Sequence, residues 1–274
     1  VLSSGFIHSI TDFSADTLLL VTRDLGFVFF QPSRNAFWSV QPEIGKLENG
    51  SYAFIKQVIS ISNTQKYVLT STKKQFILHS DGSVKNLPDF PENVDEFTSI
   101  QWNKERNLLI SGFDKQLSLI PFDGDSLNND QISHISLAEF LKDDSILFLF
   151  LRPNELWIQT QAKGLFLFEI DDLLNSKINP KQILLNKNLG FIPRRISTNE
   201  KELFLFSNNS DVAKYEFDSN KLSILFTKGV TDNYFNEAVQ DAFGNVWLSS
   251  WGDGLFKLKS DSYFHQIPSF RTES

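Results

Sequence analysis

The sequence predicts an all-β protein, a β-propeller of four-stranded blades. Three observations predict it. A motif recurs along the chain, with its first anchor at residues 19, 68, 109, 157, 204 and 247, so the steps are 49, 41, 48, 47 and 43 residues. Each copy reads as two short apolar strands around a polar turn, with further strand-like runs before and after. Periods of about 40–50 residues holding four short strands are the signature of propeller blades, which bury their sheet faces against one another. The third observation is composition: 41% apolar and 14% aromatic residues, 27 of them Phe, suit sheet-on-sheet packing.

Blade one covers about residues 1–45. Its core hairpin DTLLLVTRDLGFVFFQP places Leu19 seven residues before Gly26, followed by Phe27 and Val28; FIHSI precedes it and FWSV follows. Blade two (about 46–90) carries YVLTSTKKQFILHSDG, with Val68 and Gln75 at the equivalent places and SVKNL after it. Blade three (about 91–138) carries LLISGFDKQLSLIPFD, anchored at Leu109 and Gln116, between FTSIQW and QISHISL. Blade four (about 139–186) has ELWIQTQAKGLFLFEID, with Trp157, Gly164, Leu165 and Phe166, between ILFLFL and KQILL. A single long helix over ILFLFLRPNELWI is the competing reading; Pro153 and the aromatic, β-forming bias oppose it. A helical turn is expected only within residues 138–145. Blade five (about 187–228) has LFLFSNNSDVAKYEFD, with Phe204 and Asp211, between FIPRRI and LSILF. Blade six (about 229–274) has DAFGNVWLSSWGDGLFKL, the sharpest copy, with Trp247, Gly254, Leu255 and Phe256, between NEAVQD and YFHQI. Six blades are visible. They read as a complete six-bladed ring, as part of a seven-bladed one, or as part of a double-propeller ectodomain.

The net charge of −7 gives no basic footprint for nucleic acid. No apolar run is long enough for a membrane span, so no membrane contact is expected in this segment. VLSSGFIHSI lacks the basic start of a signal peptide and reads as first-blade sequence. The chain has no Cys, hence no disulfide or thiol chemistry, and no Met; the missing initiator Met suggests a fragment of a longer protein.

Chemical motifs are sparse. His8, His79, His134 and His265 fall in different blades, none in a metal-ligand spacing, so no metal site is expected. No GxSxG, P-loop or dinucleotide motif is present, so no catalytic residue and no cofactor is expected. The adjacent carboxylates Asp143-Asp144 and Asp171-Asp172 read as solvated turns. Trp157 and Trp247 read as packing between blades, and Gly164 and Gly254 as bulge or positive-φ positions. Asp241 with Gly244-Asn245 reads as an ordinary turn, too poor in oxygen ligands for calcium.

The pattern D-x-x-G-N-[LV]-W-[IL]-[GS]-[TS]-x-x-x-G-L is met by Asp241, Gly244, Asn245, Val246, Trp247, Leu248, Ser249, Ser250, Gly254 and Leu255. Asn154, Leu156, Trp157, Ile158, Thr160, Gly164 and Leu165 follow it more loosely. The pattern resembles the two-component-regulator propeller repeat; blades two, three and five depart from it and lack its Gly and Trp. The resemblance implies a periplasmic sensor ectodomain of an inner-membrane receptor. In that family an immunoglobulin-like domain, a transmembrane helix and a histidine kinase usually follow, and many members respond to oligosaccharides.

Binding is expected where loops converge. In a propeller the turns between the second and third strands of each blade gather on one face, together with the interblade connections. Here that face holds Arg23, Asp24, Lys115, Gln161, Lys163, Asn208, Asn209, Trp251 and Asp253. Amides and charges suit sugar hydroxyls, and Trp251, in a turn beside Gly252, offers a plane for the C–H face. The expected partners are an oligosaccharide or other small ligand, a neighbouring propeller or immunoglobulin-like domain of the same receptor, and a second copy of the chain. The expectation is therefore a non-enzymatic, extracytoplasmic sensor. A lyase or glycosidase-like enzyme is the alternative; it would need converging carboxylates or histidines at the inner-strand ends, and Asp12, His8, Arg195 and Glu237 are too scattered in the sequence to be assigned that role. A WD-repeat type of interaction scaffold ranks third, since Gly-His and Trp-Asp pairs are missing at the usual places.

Overall fold

In a computed structural model of the chain, twenty-four strands among the described residues pair into six antiparallel four-stranded sheets, each a simple meander. The fold is a six-bladed β-propeller. The structure describes residues 7–14, 16–22, 26–34, 36–40, 55–88, 99–199, 201–208, 211–226, 235–241, 245–250, 254–258 and 264–266. The strands of blade one are β1 (Ile7–Ser14), β2 (Thr17–Thr22), β3 (Gly26–Gln31) and β4 (Ala36–Val40). Blade two has β5 (Ile55–Ser62), β6 (Gln65–Thr70), β7 (Gln75–His79) and β8 (Val84–Asn86). Blade three has β9 (Ser99–Asn103), β10 (Leu108–Phe113), β11 (Gln116–Pro121) and β12 (Ser133–Ser136). Blade four has β13 (Ile146–Arg152), β14 (Glu155–Thr160), β15 (Gly164–Glu169) and β16 (Lys181–Leu185). Blade five has β17 (Arg195–Thr198), β18 (Glu202–Phe206), β19 (Val212–Glu216) and β20 (Lys221–Phe226). Blade six has β21 (Phe235–Gln240), β22 (Val246–Ser250), β23 (Gly254–Leu258) and β24 (Phe264–Gln266). Among the described residues three single-turn α-helices, α1 (Ala138–Leu141), α2 (Ile170–Leu174) and α3 (Asn186–Leu189), and a short 3-10 helix at Asn129–Gln131 decorate the blades. α1 is the helical turn expected between residues 138 and 145.

By packing, the chain falls into two units, one of residues 1–72, 78–84 and 194–274 and one of residues 73–77 and 85–193. In the first unit the second strands are buried on both faces, which explains their unbroken apolar runs: Leu18, Leu19, Leu20 and Val21 are each at most 2% exposed. Ile7, Ile10, Leu18, Leu20, Val28 and Phe30 of blade one pack against Trp247 and Leu255 of blade six. Phe30 meets the Trp247 ring edge-on at 5.4 Å. Phe204, Phe206 and Val212 of blade five pack against Phe235, Ala238, Val246, Leu248 and Phe256 of blade six.

In the second unit the corresponding core joins blades three and four, with Ile110, Leu117 and Leu119 against Leu149, Leu156, Ile158 and Phe166. α1 closes one end of it through Leu141 and Phe140, whose ring lies edge-on to Phe166 and Phe168 at 5.0 and 5.6 Å. Gly112 allows the two blades to approach: a Cβ there would stand 3.0–3.1 Å from three side-chain atoms of Leu149. On the surface Arg106 ties the same blades together through Asp171 (2.6 Å) and Asn154 (3.1 Å).

Candidate ligand-binding site

The residues that define the repeat are spent on holding hairpins. The Asp241 carboxylate accepts hydrogen bonds from the Asn245 amide (2.9 Å), the Asn245 side chain (2.8 Å) and the Trp247 indole N–H (2.8 Å). It thereby closes the β21–β22 turn and fixes the tryptophan's ring in the joint to blade one. Asn199 does the same for the β17–β18 turn, its Oδ1 accepting from the amides of Lys201 and Glu202 at 2.8 Å each. Asn103 accepts from the Arg106 amide at 3.0 Å before β10. At the other end of the hairpins the repeat's hydroxyl acts. Thr160 Oγ1 accepts from the amides of Lys163 (3.2 Å) and Gly164 (3.1 Å), and Ser207 Oγ accepts from the Asp211 amide (3.0 Å). Gly164 has φ of 127°, the left-handed region expected for it.

In the second unit the turns that follow the second strands do converge. The Leu137 amide donates to the Lys115 carbonyl (2.7 Å), Ile146 to Asp114 (2.7 Å) and Gln161 to Ser145 (2.9 Å). Lys115 and Gln161, two of the residues expected to bind ligand, therefore sit at one end of this unit, and Ser145 Oγ also donates to Gln161 Oε1 at 3.3 Å. Lys163 is also here, but its ammonium donates to the carbonyls of Phe140 and Leu141 (3.0 Å each) and stands 5.4 Å over the Phe140 ring. Its charge satisfies the exposed carbonyls of α1. Asp144, expected as a solvated turn residue, is instead buried. Burial disfavours its charge, yet hydrogen bonds from Thr160 and from the amides of Ala162, Ser145 and Lys163 outweigh this and hold its pKa below the usual range. It anchors the turn that carries Gln161 and Lys163. Asn208 is exposed and belongs to the first unit. Arg23, Asp24, Asn209, Trp251 and Asp253 lie outside the described residues.

A cleft of about 370 Å³ opens in the first unit, lined by Asp12, Thr198, Asn199, Lys201, Phe204, Ala238 and Val239. It lies where the first strands of blades one, five and six finish, at the ends of these blades opposite to their own turns between second and third strands. Cross-blade bonds position these strands: Ser197 Oγ donates to the Ala238 carbonyl, and the Ile10 amide donates to Glu237 Oε2 at 2.6 Å. Ala238 keeps the floor open because its side chain is small, while buried Phe204 supplies an apolar wall. Thr198 Oγ1 donates toward the carbonyls of Asn199 and Glu202 (3.1 Å each), which fixes the rim. Asp12 and Lys201 are exposed at the cleft.

Two ionisable groups stand behind this rim. Glu237, immediately before Ala238, is pushed by burial up to about 7, against hydrogen bonds from Ser9 and from the Ile10 amide. Lys66 is 1% exposed. Its ammonium donates to Ser60 Oγ at 2.7 Å and lies 5.4 Å from the Phe13 ring. Burial lowers its pKa and the Asp12 charge opposes that shift, so Asp12 and Lys66 act on one another.

Asp12 and Glu237 were legible only as scattered inner-strand carboxylates; the structure brings the first to the cleft, while the second, next to the lining residue Ala238 in sequence, is held by the Ile10 amide. Thr198, Asn199 and Lys201 were missed, because STNEKE reads as an unremarkable turn. Hydroxyl, amide, carboxylate and ammonium around an apolar wall can hold a small polar molecule by hydrogen bonds and C–H contact, and the volume is that of a small-ligand site. Elsewhere His134 Nδ1 meets Ser118 Oγ (2.9 Å), its facing residue across the strands, and Gln116 Nε2 (2.8 Å), its diagonal neighbour. Among the described residues no three His, Cys, Asp or Glu side chains cluster as a metal site would require.

No protein-family model matches this sequence, and no curated protein matches it either. Solved structures do. A streptogramin B lyase aligns over 98% of this chain and 84% of its own, at 12% identity and a TM-score of 0.60. The extracellular domain of a candidate one-component system from B. thetaiotaomicron aligns over 96% of this chain at 12% identity and a TM-score of 0.58; the chain spans 33% of that protein's length. YCF48 bound to a D1 peptide aligns over 96% of this chain and 81% of its own, at 10% identity and a TM-score of 0.53. At such identities the likeness is one of fold, shared by a lyase, an extracellular domain and a peptide-binding propeller. Among the described residues no helix is long and apolar enough to cross a membrane.

Proposed function

We propose that this domain is a non-catalytic ligand-sensing propeller, the periplasmic part of a two-component-type receptor that recognises a carbohydrate fragment. The observation that carries the reading is the cleft at the inner-strand ends. Its rim offers Asp12, Thr198, Asn199 and Lys201, and Phe204 gives it an apolar wall, the combination that sugar hydroxyls and C–H faces demand. The repeat's Asp, Asn and Trp, laid out as Asp241, Asn245 and Trp247, support the family resemblance, and the extracellular neighbour supports a place outside the cytoplasm. Signal output is assigned to segments other than this propeller.

The test is a panel of oligosaccharides offered to the purified domain, with binding followed by calorimetry and the recovered sugar by chromatography. The reading expects binding of at least one sugar, recovered intact. Shortened or unsaturated products would replace it with the lyase or hydrolase reading.

A further inference from the structure

The charge distribution around the cleft selects among carbohydrate ligands. Asp12 lies within electrostatic reach of Lys66, whose buried ammonium has no acidic hydrogen-bond partner among the described residues and donates to Ser60. Glu202, next to Lys201 in sequence, is taken by Lys214 at 3.0 Å, and Lys214 is shared with Glu216 at 2.9 Å. Lys201 itself is exposed, lines the cleft, and forms no ion pair among the described residues. Its main chain is held by its own amide donating to Asn199 Oδ1 at 2.8 Å and by the Phe217 amide donating to its carbonyl at 3.0 Å, so the ammonium is presented from a fixed main chain. Among the described residues the cleft lining thus offers one ammonium, that of Lys201, and it is held in no ion pair, on a chain whose net charge is −7.

We infer that the cleft takes an acidic saccharide, one whose carboxylate or sulfate pairs with Lys201 while its hydroxyls meet Asp12, Thr198 and Asn199. This rests on the sensor reading above. It adds the ligand's charge and a main recognition residue. A carboxylate or sulfate meeting an ammonium forms a charge-assisted hydrogen bond, stronger than any the neutral rim groups supply.

The experiment compares length-matched pairs of acidic and neutral oligosaccharides, such as tetragalacturonate with maltotetraose and a sulfated tetrasaccharide with its desulfated form. Binding to the wild-type domain, Lys201→Gln and Asp12→Asn is measured at low and at physiological salt. Acidic members bind more tightly than their neutral counterparts, with an advantage that falls as salt rises. Lys201→Gln weakens acidic ligands about tenfold and leaves neutral ones nearly unchanged. Asp12→Asn strengthens acidic ligands by removing a nearby negative charge. Lys201 is exposed, so Lys201→Gln keeps a melting temperature near the wild-type value; Asp12→Asn removes the charge that faces buried Lys66, so its melting temperature is recorded and its binding is read only where the domain stays folded. If neutral sugars bind as well as acidic ones, or if Asp12→Asn weakens the acidic ligand, the charge inference is wrong while the sugar-binding reading survives. If acidic and neutral sugars bind but neither substitution alters any affinity, the cleft is not the site. If no saccharide binds at all, the sensor reading falls and this inference with it.

Discussion

Glu237→Gln is the substitution whose effect follows most directly from the structure. Glu237 bridges blade six to blade one, accepting from the Ile10 amide at 2.6 Å. Burial raises its pKa from the usual 4.5 to about 7 in the folded protein. The unfolded chain binds fewer protons than the native one between those values, so this group makes stability fall as pH rises through that window. Below about pH 4.5 the carboxyl is protonated in both states and contributes nothing. Above pH 7 it is ionised in both and the native state carries the full penalty. At about 1.4 kcal/mol per pH unit, the penalty is about 3 kcal/mol. Glutamine retains an acceptor for Ile10 and has no charge to bury. The expected result of urea denaturation at pH 5, 6, 7 and 8 is a variant close to the wild type at pH 5 and progressively more stable above it. A difference that does not change with pH, or a variant less stable than the wild type at pH 8, would refute the reasoning.

Other substitutions test the frame around the site. Asp144→Ala leaves the Ala162 and Lys163 amides without their acceptor and should cost about 2–3 kcal/mol at pH 7. Because the folded pKa of Asp144 is depressed, that cost should shrink as pH falls below the ordinary carboxylate range, the opposite trend to Glu237, in the same denaturation series. Trp247→Ala should destabilise by about 3–5 kcal/mol, since it empties the joint to blade one and strands Asp241, and calorimetry should show the melting temperature fall by about 10 °C. Gly112→Ala should cost about 1–3 kcal/mol through collision with Leu149, measurable by the same scan, and Gly112→Ala combined with Leu149→Val should recover part of the loss.

What the sequence revealed was what repeats. The spacing from Trp247 to Gly254, and its weaker copies, is enough to place the second and third strands of every blade, because the turn between them needs the same small or hydroxyl residues each time. Gly164 and the buried Trp157 and Trp247 follow from that local logic. The cleft does not, since it joins Asp12 at one end of the chain to residues near 200 and 238, and nothing local marks those positions as neighbours. Asp144 and Lys163 show the converse. Both lie in turns of the expected polarity, but tertiary partners in α1 and β14 turn them inward, a choice that no pattern of charges discloses. Lys66 is the sharpest departure: a lysine in QKYVLT would ordinarily face water, yet the joint between blades one and two buries it beside Phe13.

The most direct test of the proposed sensor is to find where a bound saccharide protects the backbone. Amide hydrogen exchange with and without an acidic tetrasaccharide at saturating concentration reports on both ends of the hairpins at once. The account predicts slowed exchange at Thr198–Lys201, around Asp12 and at Ala238-Val239, with the saccharide recovered unaltered. Protection confined to the turns at Asp114-Lys115 and Gln161–Lys163, or a cleaved saccharide after the incubation, would contradict it.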